Sequence, residues 1–230
     1  MQDSRPANLQ TNQTDDHLAE LTPTKLSRAN QKSRRIRLKA EQHYLAARAA
    51  ALNHHPDIYA SEIAQALSLD PRAAEIYLLR ATQEVTTAHY TAALWDIDRA
   101  QALNPQIAYG QTVLASVLNG MRLYEDAYLL LRGQQGPETA NWQTIYERSR
   151  AEVGMGNLEG SEQWSQRTLA TAPQGFAEAH LVRGEALEIA NRRDEANAEL
   201  KLYQRETGQA HGGDTGISPR ELPGTTNGGN

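Results

Sequence analysis

The sequence predicts an all-α fold built as a tandem array of helical hairpins. Among its 230 residues there is one Phe and no Cys, while alanine is abundant. Alanine has the highest helix propensity, and its small side chain lets helices approach closely. Proline recurs at Pro71, Pro105 and Pro173, and the pattern Tyr-x-x-Ala begins at Tyr90 and again at Tyr124. All three intervals are 34 residues or twice that, which indicates a repeated structural unit.

On this period the central chain divides into five units. They lie near 40–73, 74–107, 108–141, 142–176 and 177–207. From the second unit onward, the eighth and twentieth positions always hold small residues. These are Ala81, Ala115, Ser149 and Gly184, then Ala93, Ala127, Ser161 and Ala196. Two antiparallel helices pack closely when each presents a small residue to the other, so the pattern predicts one hairpin per unit.

Local signals predict where several helices begin. Asp70-Pro71 and Asn104-Pro105 each place a capping side chain before a proline at the first helical position. In the degenerate first unit, Pro56 is predicted to start the second helix. Asp194 and Glu195 indicate the N-terminus of the last helix, because acidic side chains there are favoured by the helix dipole.

The ends of the chain differ from the centre. Residues 1–23 are polar without an apolar period, and residues 208–230 are rich in glycine, so both are predicted to be disordered tails. Residues 24–39 are basic and are predicted to form a helical extension of the first unit, beginning near Ser27.

The repeat resembles the tetratricopeptide repeat family. The unit 74–107 matches the small positions and the proline of the family motif best, with Ala81, Ala93, Ala100 and Pro105. The resemblance covers about three quarters of the chain and implies a right-handed superhelix, an α-solenoid, of four to five hairpins. It also implies a non-catalytic adaptor or assembly factor that binds a segment of another protein.

The resemblance further implies which side chains face a ligand. In this family the first helices of the hairpins line a concave groove. The ligand-facing positions correspond here to Tyr44, Arg48, Leu78, Thr82, Tyr109, Thr112, Ser116, Asn119, Tyr146, Arg150, Leu181 and Glu185. We expect the groove to be centred on Tyr109, Tyr146 and Arg150, because tyrosine and arginine supply much of the binding energy at protein interfaces. A peptide or helix with an apolar or acidic element is the expected ligand.

A basic segment supports an alternative function, a nucleic-acid-associated regulator. Seven cations occur between residues 25 and 39, and no acidic residue lies between Glu20 and Glu41. The cations are Lys25, Arg28, Lys32, Arg34, Arg35, Arg37 and Lys39. Such a segment attracts nucleic acid, an anionic surface or an acidic partner, whereas a solvated helical extension needs no ligand at all.

No catalytic motif is present, so we expect neither an enzyme nor a cofactor. Phosphate-binding glycine loops, HExxH and GxSxG are absent, and without cysteine there is no thiolate chemistry. His54 and His55 are adjacent but lack further ligands, so no metal site is predicted. The chain shows no signal peptide and no apolar run long enough to span a membrane, so a cytoplasmic location is expected. Its oligomeric state is left open.

Overall fold

The computed structural model describes residues 23–133 and 141–210, and all regular secondary structure in these two ranges is helical. The helices are α1 (Pro23–Leu52), α2 (Pro56–Leu69), α3 (Ala74–Thr86), α4 (Tyr90–Leu103), α5 (Gly110–Gly120), α6 (Tyr124–Arg132), α7 (Trp142–Gly154), α8 (Leu158–Thr171), α9 (Glu178–Ile189) and α10 (Arg193–Ala210). Of the predicted tails at 1–23 and 208–230, residues 1–22 and 211–230 lie outside the described residues, whereas Pro23 and residues 208–210 are helical.

The helices pair in chain order into five antiparallel hairpins, from α1 with α2 to α9 with α10. The first helices of neighbouring hairpins also pack on one another, as α3 does on α5 and α5 on α7. Each second helix packs on the first helix of the next hairpin. The prediction of an all-α solenoid of helical hairpins is therefore confirmed.

Small residues lie at the centre of each hairpin, where the two helices approach most closely. Ala81, Ala93, Ala115 and Ala127 have no exposed surface. Ser149 and Ser161 are equally buried in the fourth hairpin. Large side chains such as Ile97 and Leu131 fill the flanks, because a close backbone approach leaves room for them only beside the small residues.

Every hairpin turn contains one residue in the left-handed backbone conformation. These residues are His54, Ala88, Arg122, Gly156 and Asn191. In each turn the residue that follows donates its N–H to the carbonyl five residues earlier, for example His89 to Glu84 at 2.8 Å and Leu123 to Leu118 at 2.8 Å. This arrangement satisfies carbonyls that would otherwise lack a partner at the helix end. The left-handed conformation therefore recurs in every hairpin turn, even where the residue type does not favour it.

A second repeated contact joins neighbouring hairpins. A Cβ atom added to Gly120 would lie 2.4 Å from the ring of Tyr90. A Cβ added to Gly154 would lie 2.3 Å from the ring of Tyr124. In both pairs a tyrosine that starts a second helix rests on the glycine that ends the next first helix. Glycine at these two positions therefore permits the stacking of hairpins two to four.

The predicted helix starts at the Asp-Pro and Asn-Pro pairs are wrong. Helices α3 and α5 begin at Ala74 and Gly110, after a short turn. The side chain of Asp70 instead accepts a hydrogen bond from Arg72 N at 3.1 Å, and Asn104 accepts one from Gln106 N at 3.2 Å. Both side chains stabilise the turn that contains the proline, because an Asx turn satisfies the backbone two residues ahead.

Other helix limits agree more closely with the sequence. Helix α2 begins at Pro56, and Asp194 and Glu195 lie in the first turn of α10, as predicted. Helix α1 begins at Pro23, four residues before the expected Ser27. Helix α10 runs to Ala210 and so includes the first residues of the predicted C-terminal tail.

Candidate functional site

The candidate site lies on the side of the array formed by the first helices, α1, α3, α5, α7 and α9. These helices pack on one another from hairpin to hairpin, whereas within the described ranges the second helices make no comparable contact among themselves. The first helices therefore line the inner side of the array. Their exposed side chains form the candidate surface.

Three residues predicted to face a ligand are buried instead, which corrects the sequence-based site. Leu78 packs in a hydrophobic cluster with Ala93 and Ile97. Thr112 is 4% exposed, and its hydroxyl shares a hydrogen bond of 2.8 Å with the hydroxyl of Thr144. These side chains lie between packed helices, so they hold the array together and are not available to a ligand.

Asn119 is the third buried residue, and it joins α5 to α7. It is 2% exposed, and its Nδ2 donates to the Glu147 carbonyl at 2.8 Å and to Glu147 Oε2 at 2.9 Å. The carboxylate of Glu147 also accepts a hydrogen bond from Arg150 Nη1 at 2.9 Å. A buried carboxylate is stable when it is paired and hydrogen-bonded, and here Asn119 and Arg150 meet that need together.

Arg150 and Tyr146 form a packed pair on the inner surface. The guanidinium carbon of Arg150 lies 5.7 Å from the ring centroid of Tyr146, and the Arg150 side chain remains 24% exposed. Burial alone would lower the pKa of Arg150, but the neighbouring Glu147 and Tyr146 outweigh this effect and raise it. The guanidinium is therefore charged, oriented and partly accessible.

Aromatic packing fixes the ring of Tyr146 from the other side. Phe176, in the turn before α9, lies edge-on to Tyr146 at 5.0 Å and to Trp142 at 4.8 Å. Burial raises the pKa of the Tyr146 hydroxyl above its usual range. The single Phe of the chain thus closes an aromatic cluster beneath the accessible guanidinium of Arg150. No sequence pattern indicates this contact, since Phe176 lies outside the helical repeat pattern.

Tyr109 occupies a different environment from the one expected. It is the N-cap of α5, with a left-handed φ of 64°, so it lies in the turn before the helix. Its side chain is 43% exposed, and its hydroxyl lies 3.5 Å from Asn141 Nδ2. Tyr109 is thus accessible at the start of the helix, whereas Tyr146 is held within the face of α7.

The remaining predicted residues are at least partly accessible. Arg48 is exposed, and its guanidinium carbon lies 5.8 Å from the ring centroid of the half-buried Tyr44 on the same helix. Thr82 is exposed, and its hydroxyl donates to the Leu78 carbonyl. Half-buried side chains on α5 and α9 complete this set, namely Ser116, Leu181 and Glu185. These residues are spread over four hairpins, so together they suit an extended ligand.

Three arginines at one repeat position make structural contacts that the repeat pattern did not predict. Arg80, Arg148 and Arg183 occupy the seventh position of their units. Arg80 holds the buried Asp96 through two hydrogen bonds, and Arg183 donates to the buried Ser165 hydroxyl at 3.2 Å. The sequence signal is the recurrence of arginine at this one position in three units. These side chains hold the hairpins together with polar contacts.

Arg148 makes the most aromatic contacts of the three. Its guanidinium carbon lies 4.0 Å from the ring centroid of Trp164 and 5.6 Å from that of Tyr128. The two rings belong to consecutive second helices, α6 and α8, with the arginine of α7 between them. Cation–π contacts with a partly desolvated guanidinium are stabilising, so Arg148 joins the third and fourth hairpins.

The basic segment forms the N-terminal part of α1, before the helix reaches its partner α2. Every side chain from residue 27 to 39 is exposed except the half-buried Ile36, and Ala40 is the first buried residue. Six of the seven predicted basic side chains lie in this stretch, since the placement of the Lys25 side chain is not described. The segment therefore presents its charge to solvent along a free helix.

The described residues show neither a metal-binding cluster nor a membrane-spanning helix. In these residues no group of three or more His, Asp or Glu side chains is arranged to hold a metal ion. None of the helices in the same ranges is both long and apolar enough to cross a membrane.

Comparison with known proteins supports the fold. No protein-family model and no curated protein matches the chain. Several solved structures of MamA do, including an RS-1 double mutant with a TM-score of 0.52 and 14% identity over 76% of this chain and 98% of that one. A form comprising residue 41 to the end of MamA from Desulfovibrio magneticus RS-1 has a TM-score of 0.50 and 15% identity, over 77% and 98%. The structure titled MamA MSR-1 C2 gives 0.50 and 16%, over 76% and 98%. This likeness shows a shared fold, an all-α array of helical hairpins.

Proposed function

We propose that this protein is a non-catalytic adaptor that holds a segment of a partner protein along the inner face of its hairpin array. The observation that carries the proposal is the pairing of Arg150 and Tyr146. The arginine is charged, partly exposed and held by Glu147, and the tyrosine ring beneath it is fixed by Phe176. Preorganised side chains lose little conformational entropy on binding, so they favour affinity.

The chemistry of this surface defines the kind of partner segment. Arg150 offers a charge to an acidic side chain, while Tyr146 and the half-buried Leu181 offer apolar surface. Ser116 and Thr82 supply hydroxyl groups farther along the same face. An extended or helical segment with one acidic residue beside apolar ones matches this arrangement, since alternating anchors can contact successive hairpins.

Paired substitutions with matched controls test the proposal. Arg150→Gln removes one positive charge from the inner face. Arg99→Gln is its control, because Arg99 lies on a second helix and its guanidinium carbon is 5.9 Å from the ring centroid of Tyr77. Thr82→Lys adds bulk and charge to the inner face, and Thr91→Lys does so at an exposed position on α4. The full chain is used as bait, and bound proteins are quantified by mass spectrometry.

The proposal predicts that a defined set of partners is lost with the two inner-face variants and retained with both controls. Circular dichroism should show equal helicity in all four proteins. If the same partners remain bound to Arg150→Gln and Thr82→Lys as to the controls, the inner face is not the binding surface.

A further inference from the structure

Within the described ranges, no other helix packs against the N-terminal part of α1. From residue 27 to Lys39 only Ile36 is partly buried, and the first buried residue is Ala40. At a rise of 1.5 Å per residue, this exposed stretch extends roughly 20 Å beyond the first hairpin. An isolated stretch of this length gains little from burial, so its composition reflects something other than core packing.

The charges on this stretch form two rows. Arg28, Lys32, Arg35 and Lys39 recur once per turn and line one shallow groove with Gln31 and Ile36. At about 100° per residue, these four side chains fall within about 60° of one another, and Arg34 and Arg37 lie on the opposite flank. The face directed away from the hairpin lies between the two rows and carries Gln31 and the exposed Leu38.

We propose that this helix binds double-stranded DNA by lying in the major groove, with each row of cations against one phosphate backbone. The major groove of B-DNA is about 12 Å wide and admits a single α-helix. The row from Arg28 to Lys39 extends roughly 16 Å, so it can contact several successive phosphates. Polar Gln31 between the rows faces the base edges.

The layout of the helix favours a DNA duplex over other anionic partners. A membrane surface needs a continuous apolar face, but Leu38, at 50% exposure, is the one exposed large apolar side chain among residues 27–39. Cations on opposite flanks also suit a groove with two walls better than a planar surface. In A-form RNA the major groove is deep and narrow, so a helix cannot enter it.

The acidic body of the protein does not prevent this contact. The whole chain has 23 basic and 28 acidic residues, and seven of the basic ones lie between residues 25 and 39. The rest of the chain therefore carries 16 basic and 28 acidic residues, a net charge of −12. The Debye length in physiological salt is about 8 Å, which is shorter than the exposed stretch, so its far turns are screened from the body.

The test is the affinity of the full chain for a fluorescent 25-bp duplex, measured by anisotropy over a salt series. One variant carries Gln at Arg28, Lys32, Arg35 and Lys39, and a second carries Gln at Arg34 and Arg37. The matched control replaces four exposed cations outside the segment by Gln, namely Arg72, Arg193, Lys201 and Arg205. An RNA duplex of equal length and vesicles containing phosphatidylserine are measured in parallel.

Six phosphate contacts predict a slope of roughly −5 for log K against log salt. Replacing the four-residue row by Gln should make the slope less negative by roughly 3 to 4. Replacing Arg34 and Arg37 should make the slope less negative by roughly 2. The control should retain the wild-type slope, and all variants should keep their melting temperature. Equal slopes for the row variant and the control would overturn the proposal. So would tighter binding to RNA or vesicles than to DNA, or a slope that Arg34 and Arg37 do not affect.

Discussion

Arg80 holds the buried carboxylate of Asp96 with two hydrogen bonds, Nε to Oδ2 at 2.5 Å and Nη2 to Oδ1 at 2.6 Å. The Asp96 side chain is 7% exposed, whereas that of Arg80 is 37% exposed. The pair joins α3 to α4, and water can reach its cation but not its anion. Loss of the arginine should cost more than loss of the aspartate.

We expect Arg80→Ala to lower the free energy of unfolding by about 3 kcal/mol, because it leaves a buried carboxylate without its cation. Asp96→Ala should cost about 1 to 2 kcal/mol, since the freed guanidinium is solvated. Urea unfolding of both single variants and the double variant measures the coupling. Additive effects, or a larger loss with Asp96→Ala, would contradict this interpretation.

Glu84 makes stability depend on pH. Burial raises the pKa of this carboxyl, and the negative charge of Asp96 raises it further. The Oε2 atom of Glu84 is buried, and among the described residues it has no hydrogen-bond partner. Since the folded-state pKa exceeds the unfolded one, the folded protein is favoured below the unfolded-state pKa. That advantage is lost as the pH rises through the folded-state pKa.

Glu84→Gln should therefore melt at a higher temperature than the wild type at pH 7, and this difference should vanish near pH 4. Glu75→Gln, at an exposed position on the same helix, serves as control and should track the wild type. Thermal melts of the three proteins from pH 4 to pH 8 provide the measurement. If the difference in melting temperature between Glu84→Gln and the wild type grows as the pH falls, the prediction is contradicted.

The two tryptophans on the second helices should respond very differently to removal. Trp164 contacts Arg148 at 4.0 Å and is half-buried, whereas Trp95 is 76% exposed. We expect Trp164→Ala to cost about 2 to 3 kcal/mol of unfolding free energy, because it removes packing and a cation–π contact. Trp95→Ala should change stability by less than about 0.5 kcal/mol. Equal effects of the two substitutions in urea unfolding would show that Trp164 does not join the hairpins.

Gly154 and Gly120 test the contact between hairpins. A Cβ on Gly154 would lie 2.4 Å from Cγ of Tyr124, at the root of its ring. A Cβ on Gly120 would meet the outer atoms of the Tyr90 ring, including its hydroxyl oxygen at 2.7 Å, and these can move away more easily. Gly154→Ala should therefore destabilise by about 2 to 3 kcal/mol and Gly120→Ala by less.

Gly133→Ala is the control for these two substitutions, because a Cβ there meets only ordinary contacts at 3.6 Å. It should be neutral or slightly stabilising in chemical denaturation. Combining Gly154→Ala with Tyr124→Ala should recover part of the loss if the tyrosine ring is the obstacle. If the double variant loses as much unfolding free energy as the two single variants together, the tyrosine ring is not the obstacle.

The left-handed turn residues predict opposite effects of exchanging alanine and glycine. Ala88 has a φ of 59°, and Gly156 has a φ of 71° at the equivalent turn position. Glycine relieves the left-handed strain at Ala88, so Ala88→Gly should stabilise by up to about 1 kcal/mol, and Gly156→Ala should destabilise by a similar amount. Thr87→Gly, one residue earlier at a φ of −98°, should destabilise. Melting temperatures that fall for all three variants would refute this account.

The sequence by itself determined the hairpin array. The small residues Ala81, Ala93, Ala115 and Ala127 were predicted from a 34-residue period, and all four are buried. This was possible because helix packing depends on local spacing and side-chain size, which the sequence states directly. The left-handed turn position has the same period, but Ala88 and Arg122 conceal it, since neither residue type indicates that conformation.

Only the tertiary structure decided which polar side chains remain accessible. Thr112, Asn119 and Arg150 lie on the inner sides of their helices, yet the first two are buried between α5 and α7 while Arg150 remains partly exposed. A helical period indicates the direction in which a side chain points. The distance to the next hairpin determines whether a polar group binds a neighbour or faces solvent. That distance depends on residues far away in the chain, such as Glu147 and Phe176.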